Sequence, residues 1–392
     1  MVIDILQISR DAHEAKRHFN DVIDGSVGMF IDEDGFVGGL PVVFETLKSM
    51  PPELTIPYPA VDGGQPFKDN VFNWVFQEHG DLIKQHFQHF VCATPGGSGA
   101  VASVFRTLVP AKEKILVSDI RWQYDRFSEP DGVNLQHFQL FDGERFHLAS
   151  FEAELRKLCA IQRRVTVVLN DPCQNPSGYT LSIEEWDNVI AIMNKMDQNE
   201  IVFLYDIAYI DYSCERDQRL KASKLIDLKP HVHVMITFSG SKTFGAYGLR
   251  LGALVGLSRD KDWLAKARRD VFELARGSWS CSPTPSIELL NKMMTPELKP
   301  RFLEGLARAR ATIIKRGQLF LEQAKQVGLP LIPYINGFYV IVKRDNSQQA
   351  YETLAKHRIY AVPVDQGIRI ALCSLSLKDI DGLPQRIKQL LF

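Results

Sequence analysis

Short apolar, β-branched runs recur through the middle of the chain at residues 89–93, 114–117, 135–141, 165–169, 201–205, 232–237 and 251–257. Each reads as a buried strand. Between them lie stretches with a helical period. In the clearest, Ser182 stands three residues before Glu185, the capping-box spacing, and Ile183, Trp186, Val189, Ile190 and Met193 repeat every 3.6 residues. Residues 101–109 read as a further helix. Residues 40–49 predict one that stops before Pro51-Pro52, and a long one runs from Pro300 to about Val327. Asp32-Glu33-Asp34-Gly35 reads as a turn, and the 58–64 segment (Tyr58-Pro59-Ala60-Val61-Asp62-Gly63-Gly64) as a Pro- and Gly-dense loop. Strands alternating with helices argue an α/β fold with a mostly parallel sheet, whose ligands gather at the carboxyl ends of the strands.

Composition narrows the classes. A chain of 392 residues has room for about two domains. Hydrophobic residues at 45% and charged residues at 24% are ordinary for a globular protein. A formal net charge of −1 gives no electrostatic case for nucleic acid or an anionic membrane. No apolar run approaches the roughly 20 residues that span a bilayer. Met1-Val2-Ile3-Asp4-Ile5-Leu6 has no basic region ahead of an apolar stretch, unlike a secretory signal. Six scattered cysteines without C-x-x-C spacing predict reduced thiols and a cytoplasmic protein rather than disulfides or a zinc site.

The predicted strand ends carry chemistry. After 89–93 comes Gly96-Gly97-Ser98-Gly99, and Trp122 follows 114–117. After 165–169 comes Asn170-Asp171-Pro172-Cys173-Gln174-Asn175-Pro176-Ser177-Gly178, and Asp206-Ile207-Ala208-Tyr209 follows 201–205. After 232–237 comes Ser239-Gly240-Ser241-Lys242, with Arg250 closing the loop. Small residues let a backbone approach an anion, an arginine binds phosphate bidentately, and a partly desolvated lysine forms a Schiff base with a carbonyl. An aldehyde cofactor carrying a phosphate fits that set. Two rivals share the glycines. A nucleotide P-loop fails, because Ser241 precedes the lysine and Ile236 stands where its first glycine belongs. A dinucleotide fingerprint fits Gly97, Gly99 and Ala102 with Asp119 beyond, which keeps a nicotinamide-dependent dehydrogenase in view.

In combination, Asn175-Pro176-Ser177-Gly178, Asp206-x-x-Tyr209, Ser239-x-Ser241-Lys242 and Arg250 resemble the fold type I, pyridoxal-phosphate-dependent aminotransferases of classes I and II. The opening Val27-Gly28-Met29-Phe30 motif and the Tyr58 loop resemble the aspartate and aromatic amino acid branch. The resemblance implies a three-layer α/β/α large domain over 45–299 around a mostly parallel seven-stranded sheet. A smaller α+β domain would combine 1–44 with 300–392. It implies pyridoxal 5′-phosphate as cofactor, amino acid and 2-oxo acid substrates, and a homodimer with shared sites. Lys242 would form the Schiff base and later shuttle a proton, and Asp206 would keep the pyridine nitrogen protonated. Tyr209 and Asn175 would donate to the ring's phenolate oxygen, and Trp122 would stack on the ring. Gly97, Ser98, Ser239 and Arg250 would hold the phosphate, with Tyr58 reaching in from the partner subunit. Substrate would meet Gly28, Trp122 and Asn175, with Arg369 on its α-carboxylate and Arg276 crossing the dimer interface to a side-chain carboxylate. The implied reaction moves an α-amino group from aspartate or an aromatic amino acid to 2-oxoglutarate. A cysteine-conjugate β-lyase is the alternative within the fold. Asp171, Gln174, Ser98 and Cys281 depart from the branch's usual residues.

Overall fold

The continuous apolar runs have a direct structural counterpart, since the central strands of the sheet bury both of their faces. In the computed structural model, which describes residues 5–128, 134–214 and 218–392, the runs form β1 (Gln88–Pro95), β2 (Lys114–Ser118), β3 (Asn134–Phe138), β4 (Arg164–Asn170), β5 (Glu200–Asp206), β6 (Val232–Ser239) and β7 (Leu251–Ser258). Of the N-terminal stretch weighed as a leader, Met1 to Asp4 lie outside the described residues. The sheet order is β1-β7-β6-β5-β4-β2-β3. All its strands run parallel except β7, which is antiparallel to both β1 and β6. The sheet is thus seven-stranded and mostly parallel, as the resemblance implies.

Successive residues face opposite layers. Val165, Val167, Ile201, Phe203, Val234 and Ile236 pack into one hydrophobic core; Val168, Val202, Leu204, Met235 and Leu254 pack into another. The second core also takes Ala100, Val104 and Leu108 of α1 (Gly96–Leu108). The first takes Trp186, Val189 and Met193 of α2 (Ile183–Asn194). The expected capping box of α2 is present: Glu185 N donates to Ser182 Oγ at 3.1 Å, and Ser182 N donates to the Glu185 carboxylate at 2.8 Å. On the same side of the sheet as α1 lies α3 (Lys261–Ser278), which buries Leu264, Ala267 and Val271.

Two expectations need correction. The helix read at 101–109 begins at Gly96, so the glycines form its first turn rather than a loop ahead of it. The strand read at 135–141 leaves the sheet after Phe138. Leu140 N donates to Asp119 Oδ1 at 2.9 Å, and Phe141–Asp142 pairs with Arg145–Phe146 in a separate hairpin.

The long helix α4 (Lys299–Val327) joins two cores. Phe302, Leu306 and Ala309 pack with the large sheet, while Phe320 and Ala324 pack with a second, antiparallel sheet of β8 (Tyr339–Lys343), β9 (Val362–Val364) and β10 (Gly367–Ala371). Between those patches sits a fully buried Arg316. It donates to the carbonyls of Ile31 and Cys373, each at 2.8 Å, and pairs with Glu33 at 2.7 Å. A buried guanidinium is tolerated only with its donors satisfied. These bonds pin the 31–33 turn and the segment after β10 to α4, which places Gly28 and Arg369 over the large sheet.

Candidate active site

Parallel strands ending on one edge bring their following residues together. A cavity of about 320 Å³ opens there. Its wall contains Lys242, Asp206, Tyr209, Asn175, Trp122, Gly97, Ser98, Ser239, Arg250, Gly28 and Arg369. Two expected residues do not line it. Tyr58 is 91% exposed. Arg276 is exposed at the end of α3, where it donates to Ser280 Oγ at 2.7 Å.

One end of the cavity gathers groups that could hold an anion. Arg250, immediately before β7, has a left-handed conformation (φ 54°), held by Gly96 N donating to its carbonyl at 2.8 Å. Its guanidinium donates to the Tyr247 carbonyl at 3.0 Å and to Ser241 Oγ at 3.3 Å. Gly96 has φ +73°, and a Cβ there would collide with that guanidinium. At Gly97 a Cβ would stand 3.1 Å from Ser239 Cβ. Only glycines let α1, the end of β6 and the start of β7 converge so closely. The N-terminal N–H groups of α1 and the Arg250 charge therefore face one small space, the setting that binds phosphate.

The other parts are electronic. Asp206, at the end of β5, accepts from Tyr124 Oη at 2.8 Å and from Ala208 N at 3.1 Å. Burial raises its carboxyl to about 6, against the lowering effect of those two donors. Asn170, ending β4, donates to the Asp206 carbonyl at 2.9 Å and accepts from Asn175 N at 2.7 Å. That fixes Asn175, whose Nδ2 donates to Tyr209 Oη at 3.3 Å. Lys242 Nζ donates to the Gly28 carbonyl at 3.0 Å, among the rings of Tyr247, Phe338 and Tyr209. Burial pulls its amine down from 10.5 to about 8, with Arg369 and Arg250 adding to the effect. Arg369, on β10, donates to the Ser26 carbonyl at 3.1 Å and lies over the Tyr339 ring. Among the described residues, Arg369 Nε and Thr237 Oγ1 are buried without a hydrogen-bond partner.

Sequence reasoning missed Tyr124, Thr237, Tyr247 and Tyr339. Thr237 ends a predicted strand, so the strand-end rule reaches it. Tyr247 and Tyr339 come to the cavity through a loop path and a second sheet, and Tyr124 stands behind Asp206 as its hydrogen-bond donor; periodicity encodes none of these placements. The departures at 171 and 174 are buried and tie their loop to neighbouring segments. Asp171 forms a fully buried pair with Lys221 Nζ at 2.6 Å. Gln174 donates to the Ile120 carbonyl at 2.7 Å and accepts from Ser177 Oγ at 2.6 Å.

Comparison with known proteins agrees with this geometry. A family model described as aminotransferase class I and II matches residues 46–387. An aspartate aminotransferase of Pseudomonas aeruginosa is 24% identical over 382 residues, which cover 94% of this chain and 92% of that protein. The crystal structure of an aminotransferase from Anaerococcus prevotii DSM 20548 has a TM-score of 0.93 at 27% identity, covering 98% of this chain and 95% of that one. An aromatic-amino-acid aminotransferase from Burkholderia pseudomallei, covalently bound to pyridoxal phosphate, has a TM-score of 0.81 at 22% identity, covering 100% and 98%; it shares the fold.

Proposed function

The chain belongs to the class I and II aminotransferases and its cofactor is pyridoxal 5′-phosphate; from that premise we propose that it moves the α-amino group of aspartate or an aromatic amino acid onto 2-oxoglutarate. The residues present fit the cofactor. A phosphate suits the Gly96–Ser98 turn, Ser239 and Arg250, and the unpartnered Thr237 hydroxyl offers a further polar contact on the same wall. A pyridine nitrogen suits Asp206, the buried carboxylate of that wall. When bound, the cofactor supplies an electron sink for a carbanion at the substrate Cα.

The chain's own groups do the rest. Lys242, partly neutral near pH 8 because it is buried, is the amine that would hold the cofactor's aldehyde and would carry a proton to and from the substrate Cα. Asp206, held by Tyr124 and Ala208, would retain a proton on the ring nitrogen by a charge-assisted hydrogen bond. Tyr209 and Asn175 would donate to the cofactor's phenolate oxygen, and Trp122 would lie against its ring. Arg369 takes the α-carboxylate with the fork of donors whose Nε is otherwise idle. Arg276 serves the side-chain carboxylate of a dicarboxylate bound in the other subunit of a homodimer, and Tyr58 reaches that subunit's phosphate. Their exposure away from their own cavity supports that assignment. The division into a large domain at 45–299 and a small one from 1–44 and 300–392 belongs to the same reading, as does a cytoplasmic location. No helix among the described residues is long and apolar enough to cross a membrane.

The observation that carries the proposal is the meeting of Lys242, Asp206, Arg250 and Arg369 in one cavity. The test is glutamate formation from 2-oxoglutarate with aspartate, phenylalanine or tyrosine as donor. Lys242→Ala is expected to lower turnover by at least about a thousandfold, since it removes both amine and proton carrier. Release of ammonia and pyruvate from a cysteine conjugate, without glutamate, would overturn it in favour of β-elimination.

A further inference from the structure

Tyr339 lies where the two functional halves of the cavity meet. It opens β8, is buried, and forms part of the cavity wall. Because Tyr339 pairs with Ala371 across β8 and β10, Arg369 is its diagonal neighbour on the same face. The Arg369 guanidinium stands 4.5 Å from the centre of its ring. On the other side its hydroxyl is 3.4 Å from Tyr209 Oη, which Asn175 Nδ2 approaches at 3.3 Å. Gly28 fixes the direction of that hydroxyl: a Cβ at Gly28 would coincide with it, so the backbone closes over the Tyr339 oxygen.

We propose that Tyr339 is a positioning residue with two tasks, its hydroxyl directing the Tyr209 proton toward the cofactor and its ring setting the plane of the Arg369 guanidinium. The proposal rests on the role given above to Tyr209. A phenol carries one proton, and in the pair Tyr209–Tyr339 either oxygen can donate. When Tyr209 gives its proton to the ring phenolate, its oxygen is free to accept, and Tyr339 and Asn175 are the donors in reach. A phenol that accepts a hydrogen bond is a stronger donor itself. The hydroxyl of Tyr339 therefore strengthens a bond it does not touch. The ring contributes separately, by cation–π contact and by limiting rotation of the guanidinium.

The experiment uses the cofactor-loaded enzyme and two readouts other than turnover. The first is the pH midpoint of its visible absorbance, which reports how tightly the proton beside the phenolate is held. Tyr209→Phe is expected to raise that midpoint, and Tyr339→Phe to raise it in the same direction by about two- to threefold in proton affinity. In the Tyr209→Phe background, Tyr339→Phe is expected to add nothing. The second readout is the dissociation constant of succinate, an unreactive dicarboxylate. Tyr339→Phe keeps the ring and leaves it within about twofold, while Tyr339→Leu raises it about fivefold. An unmoved midpoint in Tyr339→Phe, with Tyr209→Phe shifted, overturns the hydroxyl's task alone. An unmoved midpoint in Tyr209→Phe overturns both that task and the role of Tyr209. Unchanged succinate binding in Tyr339→Leu overturns the task of the ring.

Discussion

Lys242 shows how a single buried amine sets two properties at once. Its folded value near 8 lies below the 10.5 of an exposed lysine, so between those values the unfolded chain holds more protons than the folded one. Stability of the cofactor-free protein should therefore climb with pH across that window. Below about pH 8 the charge is buried in full, a penalty of about 3 kcal/mol. Urea unfolding of the cofactor-free protein and of Lys242→Met at pH 7 and pH 10 measures it: the variant should be the more stable at pH 7, and the gap should narrow at pH 10. A gap independent of pH would show that the amine is not desolvated. On the proposed reading the arginines divide by substrate. Arg369→Lys removes a bidentate contact and should cost every substrate about a hundredfold in kcat/KM. Arg276→Ala should cost dicarboxylates about 10- to 100-fold and aromatic substrates little; equal losses would sink its assignment. At this scale the sequence shows charged and phenolic residues just past apolar runs, which is why Lys242, Asp206, Tyr209 and Asn175 are legible. It hides Tyr339 and Tyr124, whose partners are 130 and 82 residues away along the chain.

Elements are legible where burial is two-sided. The apolar runs mark the strands to within about two residues, and Ser182 with Glu185 marks the start of α2. What the pattern misjudges is α1, because glycines have low helix propensity and read as loop. Their place in its first turn follows from what they face, since any side chain at Gly96 would enter the space of the Arg250 guanidinium. Gly96→Ala should accordingly weaken cofactor affinity by at least about tenfold, the combined effect of a strained φ and a displaced arginine. Equilibrium dialysis of the cofactor checks this, and an unchanged affinity would remove Arg250 from the groups that hold the phosphate. The 135–141 run fails for a related reason. Apolarity persists through Phe141, but Asp119 draws the Leu140 amide away from the sheet edge.

For the molecule as a whole, the proposed homodimer with shared sites makes a specific demand on subunit mixing. Arg276→Ala and Lys242→Ala homodimers should each be poor with aspartate. In a mixed dimer, however, one site receives an intact Lys242 from its own chain and an intact Arg276 from the other. After random reassociation, activity should recover to about a quarter of wild type, because half of the dimers are mixed and each has one complete site. No recovery would place Arg276 outside the site. An exposed apolar groove lies just beyond the Lys242 turn: Phe36 and Val37, each more than 40% exposed, line a space of about 650 Å³ with Gly245 and Leu249.

The reversed strand β7 has one more consequence, in the order of assembly. Its pairing with β1 joins residues 251–258 to residues 88–95, across more than 150 residues of intervening chain. Contacts so distant in sequence form late, because loop-closure entropy is spent before they contribute. The bond from Gly96 N to the Arg250 carbonyl closes at the end of that pairing. The pocket beside Arg250 therefore closes only when the sheet is nearly complete, so cofactor binding should follow sheet assembly rather than precede it. In stopped-flow refolding, the cofactor's visible absorbance change should lag the far-ultraviolet signal of the helices.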